Sequence, residues 1–174
     1  MIKTKRLLLR RARMDDATEM HKILSNEAAM RYWSSPPHSV FAQTKGWIAD
    51  MVGAGQSVSE DFIVEIDGRL AGKVGAYRLP EFGYILHPDF WGCGIATEAV
   101  RAFLGHIWRT RPDIAVLTTD IDPRNNASVR LVEKLGFRET GRAERTFETH
   151  IGWCDSVYLA IDRAAMAEFG VSQD

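Results

Sequence analysis

The chain has 174 residues and a mass of 19.6 kDa, a size at which one domain can bury a core without disulfide or metal support. Hydrophobic residues make up 45% of it and charged residues 26%, which excludes a disordered or fibrous chain. The formal net charge of -1 provides no basic field for a phosphate backbone, so nucleic acid is not expected as the main ligand. We predict a single domain over residues 1–174.

The N-terminal segment and the cysteines indicate a cytoplasmic protein that does not enter a membrane. The apolar run Leu7-Leu8-Leu9 is far too short for a signal peptide or a membrane span. Cys93 and Cys154 lie far apart, and we expect two reduced thiols instead of a disulfide. The five histidines show no spacing typical of metal ligands, so no metal site is predicted.

Hydrophobic periodicity and turn residues predict a strand, two helices and a group of antiparallel strands in the first half of the chain. Residues 16–19 have the spacing of a capping box that starts a helix. Asp67-Gly68 lies between two β-rich runs and is a strong hairpin signal. The predicted elements are, in order, a strand over 7–12, a helix that begins near Asp16, a helix that begins after Ser39 and is stopped by Gly53 and Gly55, and strands over 62–66, 70–77 and 82–86.

The second half of the chain is predicted to alternate helices and strands. Apolar residues at helical spacing predict a helix that begins at Ile95 and ends before Pro112. Asn125-Asn126 is expected to start a short helix, which Gly136 ends in a left-handed conformation. The remaining predicted elements are strands over 114–121, 146–151 and 156–161, followed by an exposed C-terminal tail.

The loop before the helix at Ile95 carries small residues at alternating positions, Gly92, Gly94 and Ala96. Successive backbone N–H groups in such a turn, next to the positive end of a helix, form an anion site suited to a pyrophosphate. A glycine pair alone is equally compatible with a tight strand-to-helix turn. The loop lacks the Gly-Lys-Ser/Thr ending of a nucleotide P-loop, and a dinucleotide site would need an acidic residue about 20 positions later, where Leu117 stands.

A second motif runs from Asp122 to Phe137 and combines an asparagine-led helix with a Gly-Phe ending. Together with the Trp91–Ala96 loop, in the same order, it resembles the GNAT superfamily of acyl-CoA-dependent N-acetyltransferases. The segments over 90–99 and 6–10 are similar to those of the ribosomal-protein-alanine/serine N-acetyltransferase branch, and the resemblance spans nearly the whole chain. It implies an α/β (α+β) fold with a mixed, mostly antiparallel central sheet of about six to seven strands flanked by helices.

The resemblance implies acetyl-CoA as co-substrate and assigns a set of residues to it. The backbone amides of Trp91, Gly92, Cys93, Gly94, Ile95, Ala96 and Thr97 are expected to hold the pyrophosphate of coenzyme A. The strand from Gly83 to His87, with Ile85, Leu86 and His87 in the coenzyme site, is expected to stabilise the carbonyl oxygen through its N–H groups. Asn126 is expected to contact the pantetheine, although an asparagine there also suits a helix N-cap. Cys93 stands where the family commonly carries a basic residue, which predicts weaker phosphate binding.

The resemblance also implies two catalytic residues, Glu81 and Ser128. Glu81 corresponds to a glutamate that precedes the Gly-Tyr pair of the central strand, and it is expected to accept the amine proton directly or through water. Ser128 is expected to hydrogen-bond the thioester or the leaving thiolate. Glu81 can alternatively be read as an exposed carboxylate at the end of a strand, and Ser128 as an ordinary serine in the first turn of a helix. Val132 occupies the place of a tyrosine acid found in many members, but a thiol with a pKa of about 8.5 leaves without an acid.

These residues predict an N-acetyltransferase that acts by direct attack in a ternary complex, with a protein N-terminal α-amine as the favoured acceptor. An α-amine with a pKa near ~8 needs only a modest base, whereas a lysine amine near ~10.4 needs a stronger one. The alternatives are an acetyltransferase for a small-molecule amine, a catalytically silent acyl-CoA-binding module, and a nucleotide-dependent oxidoreductase. Loop residues 26–60 are expected to determine the acceptor, in a monomer or homodimer. Tyr84, His87 and Asp120 are further candidates for lining the site, and a covalent role for Cys93 is not expected.

Overall fold

The computed structural model describes residues 1–54 and 59–168, which form eight strands and six α-helices. The strands are β1 (Ile2–Lys3), β2 (Leu7–Arg10), β3 (Glu60–Ile66), β4 (Arg69–Arg78), β5 (Glu81–Leu86), β6 (Val116–Ile121), β7 (Arg138–Thr149) and β8 (Gly152–Asp162). The helices are α1 (Ala17–Leu24), α2 (Glu27–Met30), α3 (Phe41–Gly53), α4 (Ile95–Thr110), α5 (Asn126–Lys134) and α6 (Arg163–Glu168). None of these helices is long and apolar enough to cross a membrane.

All eight strands belong to one mixed sheet in the order β1-β2-β3-β4-β5-β6-β8-β7. Every neighbouring pair is antiparallel except β5 and β6, which are parallel. The predicted sheet type is confirmed, and the strand count is slightly higher than expected. The additional strand, β1, has only two residues, which is too short to produce a periodic signal.

The turn signal at Asp67-Gly68 predicts the β3–β4 hairpin correctly, whereas the predicted lengths of the last two strands, β7 and β8, are wrong. Asp67 and Gly68 have φ values of 49° and 73°, as the two-residue turn between β3 and β4 requires. The last two strands are predicted as six-residue segments, but β7 and β8 have 12 and 11 residues. Most β7 side chains are exposed, so hydrophobic alternation is weak, and the strand is defined by its backbone pairing with β8.

Helix starts differ from the prediction in two places. The capping box at Asp16 does not form, because the Asp16 carboxylate accepts a hydrogen bond from the Arg13 N–H at 2.7 Å and pairs with Arg10 at 2.6 Å. The one-turn helix α2, capped by the Asn26 side chain, is too short to be predicted from periodicity. Helix α6 occupies the start of the predicted C-terminal tail, and the rest of that tail lies outside the described residues, as does the predicted stop at Gly55.

Two hydrophobic cores lie on opposite faces of the sheet. The core beneath α4 and α5 includes Phe62, Phe82, Phe103 and Phe137, with neighbouring ring centroids 5.5–6.4 Å apart. The core beneath α1–α3 includes Met20, Met30, Ile48, Ile63 and Ile85. Strand β5 contributes alternate side chains to the two cores, so each of its residues faces a known side of the sheet.

Candidate functional site

Within residues 1–54 and 59–168, strands β5 and β6 pair at one place only and form a slot beyond it. Glu81 on β5 is the Cα partner of Thr118 on β6, and the Thr118 N–H donates to the Pro80 carbonyl at 3.0 Å. In the described part of the chain, these strands have no second register pair beyond this point. The β5 edge from Phe82 to Leu86 therefore faces the slot without a neighbouring strand, and its polar backbone groups are accessible to an extended ligand.

The loop at the open end of the slot presents a run of unpaired backbone amides. Throughout residues 1–54 and 59–168, no acceptor lies in hydrogen-bond geometry with the N–H groups from Gly92 to Thr97. Gly92 and Gly94 have φ values of 74° and 79°, in the left-handed region that favours glycine. Helix α4 begins directly afterwards, without a side-chain cap. Six successive N–H groups at the positive end of a 16-residue helix are an arrangement that can bind an anion such as a diphosphate.

A brace from the N-terminal segment holds this loop from the outside. Arg6 donates through Nη1 to the Cys93 carbonyl at 2.9 Å and through Nε to the Glu98 carboxylate at 2.6 Å. Thr4 also donates to Glu98 through its hydroxyl at 2.6 Å. Burial acts to raise the pKa of Glu98, but the hydrogen bonds from Thr4 and Arg6 outweigh it and lower that pKa below its ordinary value. Arg6 thus brings a guanidinium to the loop, where Cys93 supplies no charge.

The predicted coenzyme residues next to this loop differ in which groups they leave accessible. Trp91 is 50% exposed, and its indole N–H donates to the Leu86 carbonyl at 3.0 Å. The side chains of Ile85 and Leu86 are buried, and main-chain groups along β5 point alternately to β4 and to the slot. The bond from His87 to Ala71 sets Ile85 towards β4, so the Leu86 N–H is the main-chain donor of this pair that faces the slot. The N–H of His87 donates to the Ala71 carbonyl at 2.8 Å, and its Nδ1 accepts the Asp89 N–H at 3.2 Å. The main-chain N–H and the Nδ1 of His87 are therefore both engaged within the protein.

The remaining predicted loop residues differ in their burial. Cys93 is exposed, and its Sγ lies 3.1 Å from the Phe90 carbonyl. Ile95 is buried beneath the loop and anchors it to the core, while Ala96 and Thr97 are half-buried at the helix start. Cys93 and Cys154 are both free thiols. Among the described residues, no group of three or more His, Cys, Asp or Glu side chains is arranged to hold a metal ion.

The cap of α5 is Asn125, not Asn126. The Asn125 side chain accepts the Ser128 N–H at 3.2 Å, which satisfies a free amide of the first turn. Asn126 is exposed, and its Nδ2 lies 3.4 Å from the Arg124 carbonyl. The helix ends as predicted, with Gly136 at a φ of 99°. Because the capping role belongs to its neighbour, the Asn126 side chain is accessible to a ligand.

Ser128 is bonded to a tyrosine from the opposite wall of the slot. The Tyr84 hydroxyl donates to Ser128 Oγ at 2.9 Å and connects β5 with α5 on the α4 side of the sheet. Burial raises the pKa of Tyr84, which outweighs the lowering effect of the Ser128 bond, so the phenol stays protonated near neutral pH. Val132, in the place of the tyrosine acid, is fully buried in the core beneath α4.

Glu81 lies at the closed end of the slot, on the other face of the sheet. Because side chains alternate along a strand, Glu81 and Gly83 both face the side of helices α1–α3. A Cβ built at Gly83 would lie 3.9 Å from the Trp33 ring, so Trp33 packs over Gly83 on this face. The Glu81 side chain is exposed and hydrogen-bonds to no other residue in the described ranges. The structure thus separates Glu81 from Ser128, which lies on the opposite face.

The β6 side of this face is open and carries a second carboxylate. Helices α1–α3 pack on β3 and β5, whereas Val116, Asp120 and Tyr158 are exposed. Ser156 on β8 donates through its hydroxyl to the Asp120 carboxylate at 2.9 Å. Desolvation by its surroundings and the charge of Asp122 raise the pKa of Asp120, against the lowering effect of the Ser156 bond. Sequence reasoning gave Asp120 little weight, and it overlooked the Arg6 brace, although Arg6 begins one of the motifs that carry the resemblance.

An extended carrier with amide groups along its length and a diphosphate at its end fits this arrangement of slot and loop. Coenzyme A has that chemistry, and the unpaired amides from Gly92 to Thr97 are the observation that tests the fit. The fold and site define an acyl-CoA-dependent transferase.

Comparison with known proteins identifies the family. The model of the acetyltransferase (GNAT) domain matches residues 6–138, so the chain belongs to the GNAT acetyltransferase family. It is an acyl-CoA-dependent N-acetyltransferase with acetyl-CoA as co-substrate.

Similar proteins include enzymes with different acceptors. Spermidine N(1)-acetyltransferase of Escherichia coli (strain K12) is 29% identical over 145 residues, which cover 80% of this chain and 76% of that protein. The structure of a GNAT-family acetyltransferase from Bacillus anthracis has a TM-score of 0.80 at 26% identity, covering 92% of this chain and 97% of that one. RimL, a ribosomal L7/L12 α-N-protein acetyltransferase solved in complex with coenzyme A, has a TM-score of 0.82 at 20% identity, covering 93% and 97%. At that identity the likeness to RimL shows the fold alone.

Proposed function

We propose that the chain transfers the acetyl group of acetyl-CoA to the α-amine of a protein N-terminus, by direct attack in a ternary complex, with Glu81 and Ser128 as catalytic residues. One observation carries the proposal: the unpaired amides of the Gly92–Thr97 loop stand at the open end of a slot whose closed end is Glu81. A diphosphate held at the loop leaves the length of the slot for the rest of the carrier.

Each part of the chain has a stated task in this proposal. The amides from Gly92 to Thr97 hold the diphosphate, with the Arg6 brace keeping the loop in shape. The free edge of β5 bonds the amide groups of the pantetheine, and the exposed Asn126 lies at the α5 side of the same slot. Acetyl-CoA supplies the activated acyl group when bound. The thioester is thereby directed along the slot towards Glu81.

The catalytic tasks fall on the two faces of the sheet. Glu81 accepts the proton of the attacking amine, directly or through a water molecule. N–H groups on the free edge of β5 stabilise the negative charge that develops on the carbonyl oxygen, and one such donor is typically worth about 10² to 10³ in rate. Ser128 Oγ accepts its bond from Tyr84 and so keeps its own hydrogen for the sulfur. A thiolate with a thiol pKa of about 8.5 leaves without further acid.

A protein N-terminus is the favoured acceptor because an α-amine with a pKa near ~8 is deprotonated by a modest base. The face next to the slot is open at Val116, Asp120 and Tyr158, which leaves room for a peptide to continue away from its N-terminus. The similar E. coli enzyme acts on spermidine by its name, and this supports a small polyamine as the second candidate.

A thiol-release assay with acetyl-CoA separates the candidates. Peptides that begin with alanine or serine are compared with spermidine and with free lysine, and we expect kcat/KM at least about tenfold higher for the peptides. Glu81→Gln is expected to lower kcat by about 10², whereas Glu133→Gln, an exposed glutamate on α5, serves as the matched control and keeps the wild-type rate. Spermidine as the best substrate would establish the polyamine alternative. Calorimetric binding of acetyl-CoA without thiol release for any amine would establish a silent binding module.

A further inference from the structure

Two carboxylates, not one, flank the slot on the acceptor face. Glu81 on β5 is paired with Thr118 on β6, and two residues further along each strand come Gly83 and Asp120. Side-chain alternation places both of these on the face that carries Glu81. Gly83 has no side chain, so β5 places nothing across the slot from Asp120. The Asp120 carboxylate therefore borders the space into which the proposed function brings the amine.

A hydrogen-bonded support behind Asp120 fixes its carboxylate. Ser156 donates to Asp120 Oδ2 at 2.9 Å and is itself only 1% exposed. The Thr146 hydroxyl on β7 lies 2.7 Å from the Ser156 hydroxyl. Three strands thus contribute to holding one carboxylate at the edge of the slot. Solvation of a surface aspartate requires no such support, whereas a group that exchanges a proton at a defined place does.

Desolvation and the nearby charge of Asp122 favour the neutral form of Asp120 over its ionised form. Asp122 follows the last residue of β6, Tyr158 stands directly opposite Asp120 on β8, and Glu81 lies on the same face, paired with Thr118 two residues before Asp120. From β7, Arg138 lies on the same face through its pairing with Ala160. Desolvation and the Asp122 charge raise the pKa of Asp120, although the Ser156 bond lowers it. A carboxylate with a raised pKa is a stronger base towards an ammonium group than an ordinary aspartate.

We infer that Asp120 is a second proton acceptor of the acetyl transfer, on the opposite wall of the slot from Glu81. The inference rests on the proposed function, because it assigns a further residue to the same reaction. As the amine nitrogen bonds to the acyl carbon, the carbon–sulfur bond breaks and its electron pair leaves on the thiolate. An ammonium group that becomes an amide gives up two protons, so one moves to Glu81 and the other to the Asp120 carboxylate. Asp120 passes its proton to solvent, since the residue borders the open face.

Two variants test this role with two independent readouts. Asp120→Asn is expected to lower kcat/KM for the best amine at least about tenfold, with acetyl-CoA affinity by calorimetry within about twofold of wild type. Ser156→Ala removes the bond that lowers the Asp120 pKa, so that pKa rises further. Because only ionised Asp120 accepts a proton, the acid limb of the kcat/KM profile then moves to higher pH. Carbon-13 NMR of the Asp120 carboxylate in the free protein is expected to show the same upward shift.

The control and the contrary outcomes distinguish this inference from the proposed function. Asp162→Asn is the control, because Asp162 is another aspartate on the same face of the sheet. It lies on β8 opposite Val116, four residues before Asp120 on β6. The asparagine keeps a side-chain oxygen that can accept the hydrogen bond from the Ala165 N–H. It is expected to leave rate and pH profile unchanged. The inference is overturned if Asp120→Asn keeps activity within twofold, or if the Ser156→Ala acid limb does not move while the NMR titration does. Absence of thiol release by the wild-type protein with every amine overturns the proposed function as well.

Discussion

Gly92 offers the sharpest test of the diphosphate loop. Its φ is 74°, and a Cβ built there meets no described atom within 4 Å. Gly92→Ala therefore places a methyl group in open space and imposes the penalty of a left-handed alanine, about 1–2 kcal/mol. In a domain of this size the melting temperature is then expected to fall by roughly 2–8 °C.

The effect on coenzyme affinity is expected to exceed this loss of stability. The methyl group stands at the first of the unpaired amides, where a diphosphate has to approach the main chain closely. Loss of one hydrogen bond between an amide and a charged phosphate is worth about 1.5–3 kcal/mol. Such a loss lowers the affinity for coenzyme A by roughly 10- to 150-fold.

Calorimetry with coenzyme A and thermal unfolding measure the two effects separately. Gly68→Ala is the matched control, because Gly68 has a φ of 73° and equally open space but lies in the β3–β4 turn. Both variants are expected to unfold at similarly reduced temperatures, and only Gly92→Ala is expected to lose affinity. Wild-type affinity in a folded Gly92→Ala protein whose melting temperature matches the control refutes the assignment of the loop to the diphosphate.

Three further substitutions address the brace, the core and the sulfur side of the site. Arg6→Met removes the loop brace and is expected to raise KM for acetyl-CoA about 3- to 10-fold in steady-state thiol release, with little change in kcat. Lys73→Met leaves the buried Asp61 carboxylate without its ion-pair partner at 2.6 Å, and denaturant unfolding is expected to show a loss of about 3–5 kcal/mol. Tyr84→Phe removes the hydroxyl that orients Ser128, and kcat in single-turnover assays is expected to fall about 3- to 10-fold.

Each of these predictions has a contrary result. An unchanged KM in Arg6→Met shows that the loop keeps its shape unaided. The double variant of Lys73→Met with Asp61→Leu is expected to be more stable than Lys73→Met alone, because no uncompensated charge is buried. A double variant less stable than the single one contradicts that reasoning. Tyr84→Phe and Ser128→Ala are expected to be non-additive, and additive effects on kcat argue against a coupled pair.

Elements with local signals could be predicted from the sequence, and the slot could not. The β3–β4 turn at Asp67-Gly68 and the apolar stripe of α4 are visible within a few residues of chain. The slot depends on β5 and β6 having, among the described residues, a single register pair at Glu81 and Thr118. A pair that fails to form leaves no mark on local periodicity. Its existence follows from tertiary packing alone.

The candidate site divides in the same way. The glycines at 92 and 94 indicate from the sequence alone the left-handed backbone of this loop, because that conformation favours glycine. The Arg6 brace joins residues 87 positions apart, and Ser156 reaches Asp120 across 36 positions, so neither contact has a local signature. Asn125 and Asn126 suit the N-cap of α5 equally well by residue type. The hydrogen bond from the Ser128 N–H to the Asn125 side chain identifies Asn125 as the cap.

In the described part of the chain, the single register pair between β5 and β6 divides the sheet into two parts, or leaves, that are joined over a short distance. One leaf, β1 to β5 with α4, carries the Gly92–Thr97 loop, and the other leaf, β6 to β8, carries the exposed residues around Asp120. The match to the family ends at Arg138, where β7 begins. Under the proposed division of tasks, mutation can revise the second leaf to suit a new amine without disturbing the grip of the first leaf on the acyl carrier.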